Sequence, residues 1–286
     1  MMRSTTTIER SERWRDVALQ FALVFGAAIF YFLVRGVTQG GVERSNRNAE
    51  LVLEAEEWLR LDIETQAQEL ILDHHVLVTL SNWVYIWGHW PVIIVTLYCL
   101  HRWWPIDYLR LRNALFVSGA IGIVIYATFP VAPPRLLDPL YQDTVTEFSS
   151  SYRILQPPAL VNKYAAMPSL HAGWNLLAGV ALFGLSRRLV VRVLAVAGPT
   201  AMAVAVVLTA NHYVLDVIIG EILAVIGLYL SQRWWPNPSR VSRSQAALAA
   251  VDRGDQVEVV DDQARHAEPD ELARPVEVGD RPHRHV

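Results

Sequence analysis

Three ionisable residues stand in or at the edge of apolar stretches of this 286-residue chain: His171, His212 and Asp216. Titratable groups in an apolar span are costly to hold there and are functional candidates by default. His212 and Asp216 open one apolar run as Asn211-His212-Tyr213-Val214-Leu215-Asp216. On a helix their i, i+4 spacing sets them on one face, with the carboxylate in reach of an imidazole nitrogen. His171 heads another run, after Met167-Pro168-Ser169-Leu170. Pro168 and Ser169 start helices, so His171 falls in a first turn, beside the N–H groups and positive dipole end that favour an anion. A third run ends in Phe129-Pro130-Val131-Ala132-Pro133-Pro134-Arg135 and delivers a cation as the chain leaves the membrane.

Two histidines, a carboxylate and a cation beside a helix N-terminus suit phosphoryl transfer through histidine. One imidazole attacks phosphorus, the Asp holds it in the nucleophilic tautomer, and the second imidazole protonates the leaving oxygen. Cations and N–H groups steady the phosphoryl oxygens. A metal centre is the rival reading, since two His and one carboxylate also ligate iron or zinc; Arg135 would repel a metal and fits the anion better. A transporter or lipid-binding scaffold, in which these residues only bind or relay protons, is the third. Ser169 is read as a helix cap that also touches phosphate. Lys163, the only lysine, is read as an auxiliary phosphate ligand or a solvated loop residue, and Arg153 as a further candidate. Asn211 either donates to phosphate or caps its helix. Tyr213 and Trp174 read as packing residues, and His89 and Glu221 as embedded groups without an assigned role.

The elements that must position these residues follow from composition. With 52% hydrophobic residues and a mean hydropathy of +0.23, the chain is too apolar for an ordinary soluble domain. Its apolar residues fall into runs of bilayer-spanning length. The spans are expected at about 17–37, 76–100, 111–129, 170–186, 189–209 and 212–231. The fold class is therefore an all-α integral membrane bundle of about six transmembrane helices, since a helix satisfies its own backbone in lipid. Residues 47–73, with Leu51, Trp58, Leu61 and Leu70 among carboxylates, read as an amphipathic interfacial helix. The domain plan is a cytoplasmic N-terminus over 1–16, the membrane domain over 17–236, and a disordered cytoplasmic tail over 237–286 with a short helix at 244–252.

Arginine-rich segments before the first span, at 101–112, at 187–192 and after the last span alternate as the positive-inside rule requires. Both termini are then cytoplasmic, and the three candidate segments meet on the extracytoplasmic face, in the cell (plasma) membrane. The outer loop 136–166, with Asp138, Asp143 and Glu147, is placed to cover the site. The net charge of −3 gives no sign of nucleic-acid binding, and the lone Cys99 reads as a small apolar residue. Oligomeric state has no signature.

PSLH at 168–171, HYVLD at 212–216 and APPRL at 132–136 resemble the three motifs of the type 2 phosphatidic acid phosphatase superfamily. They are most similar to its inositol phosphorylceramide synthase-like (inositolphosphotransferase) branch, over roughly residues 76–232. The second motif has Leu170 in place of the usual Gly. The third lacks its upstream Ser-Arg, with Ala205 and Val206 there, and the first lacks its Lys and keeps Arg135. The resemblance implies a lipid phosphatase or phosphotransferase with His212 as nucleophile, Asp216 as its partner and His171 as proton donor. It also implies no metal or other cofactor, a lipid phosphate drawn from the bilayer, and water or a polyol alcohol as acceptor.

Overall fold

The computed structural model describes residues 18–20, 22–27, 29, 41–137, 141–148 and 163–234. Most of the expected first span, the N-terminal arginines, Asp138, Arg153 and the tail with its 244–252 helix lie outside the described residues. Those described are all-helical, without a strand; a single parallel bridge joins Val131 to Ala165.

Eight helices carry the architecture: α1 (Val42–Leu59), α2 (Glu64–Leu72), α3 (His75–Trp87), α4 (Trp90–Trp103), α5 (Pro105–Thr128), α6 (Leu170–Leu185), α7 (Leu189–Leu208) and α8 (Val214–Trp234). Helices α5, α7 and α8 are each long and apolar enough to cross a membrane, which makes this an integral membrane protein. The expected second span is broken: α3 and α4 meet at a 44° bend. Pro91 lacks the N–H that would bond the Trp87 carbonyl, so α3 stops there and α4 restarts with Pro91 in its first turn. The expected fourth span, α6, is apolar but has only 16 residues between Ser169 and Ser186. Against an expectation of six spans, the described residues give three continuous ones and one broken pair.

The segment read as one helix over 47–73 is two helices, parted where Arg60 takes the left-handed conformation (φ 59°, ψ 41°). Its polarity is also turned inward. Ser45, Asn48, Glu56, Glu64 and Gln68 are buried, while Leu51, Trp58, Leu59 and Leu70 are exposed. Asn48 Nδ2 donates to the Pro130 carbonyl at 2.7 Å, and the Ala132 N–H to the Ser45 carbonyl at 3.1 Å. These bonds fix α1 to the exit of α5.

Helix α5 packs along α8, and α6 packs between α7 and α8. Glycines set the approach of α6 to α8. A Cβ at Gly173 would strike the Gly220 carbonyl, and one at Gly220 would strike the Ser169 carbonyl. Small residues allow this backbone-to-backbone contact. It draws the start of α6 against the start of α8, where the Ser169 N–H donates to the Asp216 carbonyl at 2.9 Å.

Candidate active site

His171 and His212 meet where α6 and α8 begin. Ser169 caps α6 as its sequence implies, its Oγ accepting the Ala172 N–H at 3.4 Å. Tyr126, from the end of α5, donates to the Pro168 carbonyl at 2.7 Å and holds the cap from the other side. The positive end of α6 therefore opens beside the two imidazoles, whose ring centroids lie 5.7 Å apart with 55° between planes.

His212 does not lie on the helical face that its spacing with Asp216 implies, because α8 starts only at Val214. It sits in the preceding turn, after Ala210 at φ 50°. The pair still meets: Nδ1 is 3.4 Å from Asp216 Oδ2. A closer partner is the Ala166 carbonyl, 2.7 Å from the same Nδ1. Both neighbours are acceptors facing one nitrogen, so Nδ1 carries the hydrogen and the lone pair falls on Nε2. That tautomer is the nucleophilic one. Asp216 Oδ2 also accepts the Tyr213 N–H at 3.0 Å, and Asp216 Oδ1 is buried without a hydrogen-bond partner.

Arg135 leaves α5 toward the same place. Its N–H donates to the Ala210 carbonyl at 3.1 Å, and its Nε lies 3.3 Å from Asp143 Oδ2. Asp143 belongs to the outer loop, which is pinned at two more points. Gln68 bonds the Gln142 backbone in both directions at 2.9 Å, and Asn82 donates to the Thr144 carbonyl and accepts from the Thr144 hydroxyl, each at 2.9 Å. The described part of this loop, 141–148, is thus tied to α2, α3 and the site's arginine.

A family model described as the PAP2 superfamily matches residues 50–230, which is more than half of the chain and includes every group just placed. The chain belongs to the PAP2 superfamily. No curated protein and no solved structure gives a match. PAP2 membership points to a phosphoesterase of the lipid-phosphatase type. The match begins inside α1, earlier than the residue 76 at which the motif resemblance starts.

Two other candidates, Asn211 and Lys163, complete the set. Asn211 is buried, and its amide donates to the Thr209 carbonyl at 3.2 Å and Thr209 Oγ1 at 2.8 Å, bracing the turn through Ala210. Lys163 is exposed at the edge of the described residues. Tyr213 and Trp174 are packing residues with their polar atoms bonded, to the Ala132 carbonyl at 3.0 Å and to Ser118 Oγ at 3.1 Å. Among the described residues no three His, Cys, Asp or Glu side chains are grouped to hold a metal ion.

Three residues of this PAP2 site have no role in the sequence reading. Glu56 Oε1 accepts the Leu215 N–H at 2.6 Å, and Glu64 Oε1 accepts the Val214 N–H at 2.8 Å. With Asp216 on Tyr213, three carboxylates cap three successive amides at the head of α8. The anion-binding capacity of that terminus is thus taken up by the protein's own side chains. Burial pushes the Glu56 carboxyl up to about 8, against the Leu215 hydrogen bond and with the help of Glu64 and Asp216 nearby. Burial likewise raises Glu64. The sequence signal was the stripe Ser45-Asn48-Val52-Glu56, which keeps helical spacing but is mostly polar. The third residue is His89, buried at the α3–α4 break with its ring 4.3 Å from that of His171.

Proposed function

We propose that this protein cleaves a lipid phosphate ester through a phosphohistidine on His212. The Nε2 lone pair attacks phosphorus, the bond to the leaving alcohol oxygen breaks, and His171 gives that oxygen its proton. Water or an alcohol then attacks the phosphoryl group, His171 takes the incoming proton, and the bond to Nε2 breaks. The observation that carries this reading is the pair of acceptors on His212 Nδ1, which fixes the tautomer needed for attack. The α6 terminus and Arg135 hold the phosphoryl oxygens, with Lys163 as an auxiliary ligand from the outer loop. No metal enters these steps. The lipid comes from the bilayer and the site faces the extracytoplasmic side, as the arginine pattern supports.

Leu170, Ala205 and Val206 in place of the usual motif residues favour the inositolphosphotransferase-like branch, with a polyol alcohol as second acceptor. The pinned outer loop supports that choice, because a transferase must keep water from the phosphoenzyme. The test is brief incubation of purified protein with phosphorus-labelled lipid phosphates, followed by acid and base treatment. An acid-labile, base-stable label on wild type that is absent from His212→Ala is expected; turnover by His212→Ala would refute the mechanism. Product analysis with and without inositol distinguishes free phosphate from an inositol phosphate.

A further inference from the structure

A cavity of about 160 Å³ lies away from the histidines, between α4, α5 and the first apolar run. Helix α5 lines it with a stripe at three- and four-residue steps, from Arg112 through Phe116, Gly119 and Ala120 to Ile123. Ile93 and Leu97 of α4 face that stripe, and both are buried. Tyr126, bonded to Pro168, marks the level of the His171–His212 site on α5. Arg112 stands about 21 Å along the helix from that level, at the opposite end of the cavity from Trp174, which lies against Gly119.

Among the described residues on the cavity wall, Arg112 alone is charged. Its Nε and Nη2 donate to Asn113 Oδ1 at 3.1 Å and 2.8 Å, and Nη1 donates to Gln20 Oε1. The guanidinium carbon lies 5.7 Å from the Tyr108 ring centroid and 5.8 Å from that of Phe116. All of these neighbours are neutral. The nearby Arg110 pairs with Asp107 and Arg135 pairs with Asp143, but no ion pair among the described residues includes Arg112. A half-buried guanidinium with neutral company therefore heads an apolar cavity. Such a guanidinium binds a phosphate or carboxylate strongly, by charge-assisted hydrogen bonds.

We propose that this cavity binds an anionic lipid, its head group on Arg112 and one acyl chain along α5. The lipid belongs to the leaflet opposite the His171–His212 site, which is the cytoplasmic one in the orientation proposed above. The dimensions agree. From Arg112 to Ile123 the stripe runs about 16 Å, close to half of a bilayer core roughly 30 Å thick. A void of about 150 Å³ holds a benzene ring, so the enclosed part takes roughly six carbons of the chain. The polarity of the cavity decides the direction of the occupant. A chain entering from the histidine end would bring its methyl terminus to a guanidinium, whereas a lipid from the opposite leaflet brings its anion there. Bilayer lipid is as apolar as the cavity wall, so the wall alone selects no lipid, and the selection falls to Arg112.

The experiment titrates full-length protein in detergent with phosphatidylglycerol, or with a diacylglycerol of the same chains, and reads bound lipid by native mass spectrometry. Wild type is expected to bind phosphatidylglycerol at least about tenfold more tightly than diacylglycerol, and Arg112→Gln is expected to abolish that preference. Arg110→Gln, which removes a neighbouring cation outside the cavity, is expected to keep it. Equal losses in the two arginine variants would show general attraction to a basic surface and overturn the proposal. Ala120→Phe fills the cavity without touching the charge, and a loss of about tenfold in phosphatidylglycerol affinity is expected. Unchanged affinity in that variant places the lipid elsewhere and overturns the proposal. Should Arg112→Gln not fold, wild type decides alone: equal affinity for the two lipids refutes the role of the cation. None of these readouts depends on turnover, so the phosphohistidine mechanism stands or falls separately, by the labelling of His212.

Discussion

Replacing Glu56 by Gln gives a pH-dependent change in stability whose sign and size follow from the cap on α8. Glu56 is fully buried, and its carboxyl is pushed from 4.5 up to about 8 in the fold. Between those values the folded chain holds a proton that the unfolded chain has released. The stabilisation is therefore complete below about 4.5 and is lost as pH rises through about 8. The slope is about 1.4 kcal/mol per pH unit, so the loss across the window is on the order of 5 kcal/mol. Glu56→Gln keeps an oxygen for the Leu215 N–H but has no proton to lose. Denaturant titrations of both proteins in detergent, from pH 5 to pH 8.5, isolate Glu56 together with its influence on Glu64, because the remaining titrations are common to both. The variant is expected to match wild type near pH 5 and to exceed it by several kcal/mol at pH 8.5. Glu56→Ala, which leaves the Leu215 amide unpaired, is expected to be less stable at every pH by about 1–3 kcal/mol. A stability difference between wild type and Glu56→Gln that does not change with pH would show that Glu56 is not held protonated.

Other changes separate the parts of the site. Arg135→Ala removes the proposed phosphate ligand and the tie to Asp143, so a rise in KM for the lipid phosphate of about tenfold or more is expected from initial rates; an unchanged KM refutes its contact with substrate. Asn211→Ala is expected to lower stability by about 1 kcal/mol in thermal melts with KM unchanged, since its amide serves Thr209. Gly220→Ala drives a Cβ into the Ser169 carbonyl and is expected to cost about 1–3 kcal/mol, with a loss of phosphohistidine labelling because the two helix starts are forced apart. Exhaustive dialysis against chelator is expected to leave turnover intact, and activity restored only by an added metal would contradict the proposed chemistry.

The histidines were legible because a polar residue in an apolar run is conspicuous, and Pro168-Ser169 marks a helix start by local chemistry alone. Pro91 also carried a local signal, and its effect was to break a span at the point where His89 sits. What the sequence did not display were contacts between distant segments. The Ala166 carbonyl has no signature as the partner of His212, since any residue supplies a carbonyl. Glu56 and Glu64 looked like the wet face of an amphipathic helix, because in a soluble fold carboxylates face water. Here Leu51, Trp58 and Leu70 point outward, and the inward stripe is the polar one. Hydrophobic periodicity correctly predicted helix over most of this segment, apart from the break at Arg60, but not which side of it the protein lies on.

The carboxylates on the head of α8 also bear on when the enzyme comes into being. Glu56 precedes the amide it caps by 159 residues, and Glu64 precedes its own by 150. Synthesis proceeds from the N-terminus, so both acids are made and placed long before their donors exist. A nascent chain that has reached Leu208 already holds His171, yet it lacks His212 and has two carboxyl groups awaiting backbone partners. Insertion of α8 with the turn before it supplies His212, Asp216 and the capped amides together. The candidate site is thus completed in one step when α8 is inserted, and a chain halted before it lacks the proposed nucleophile.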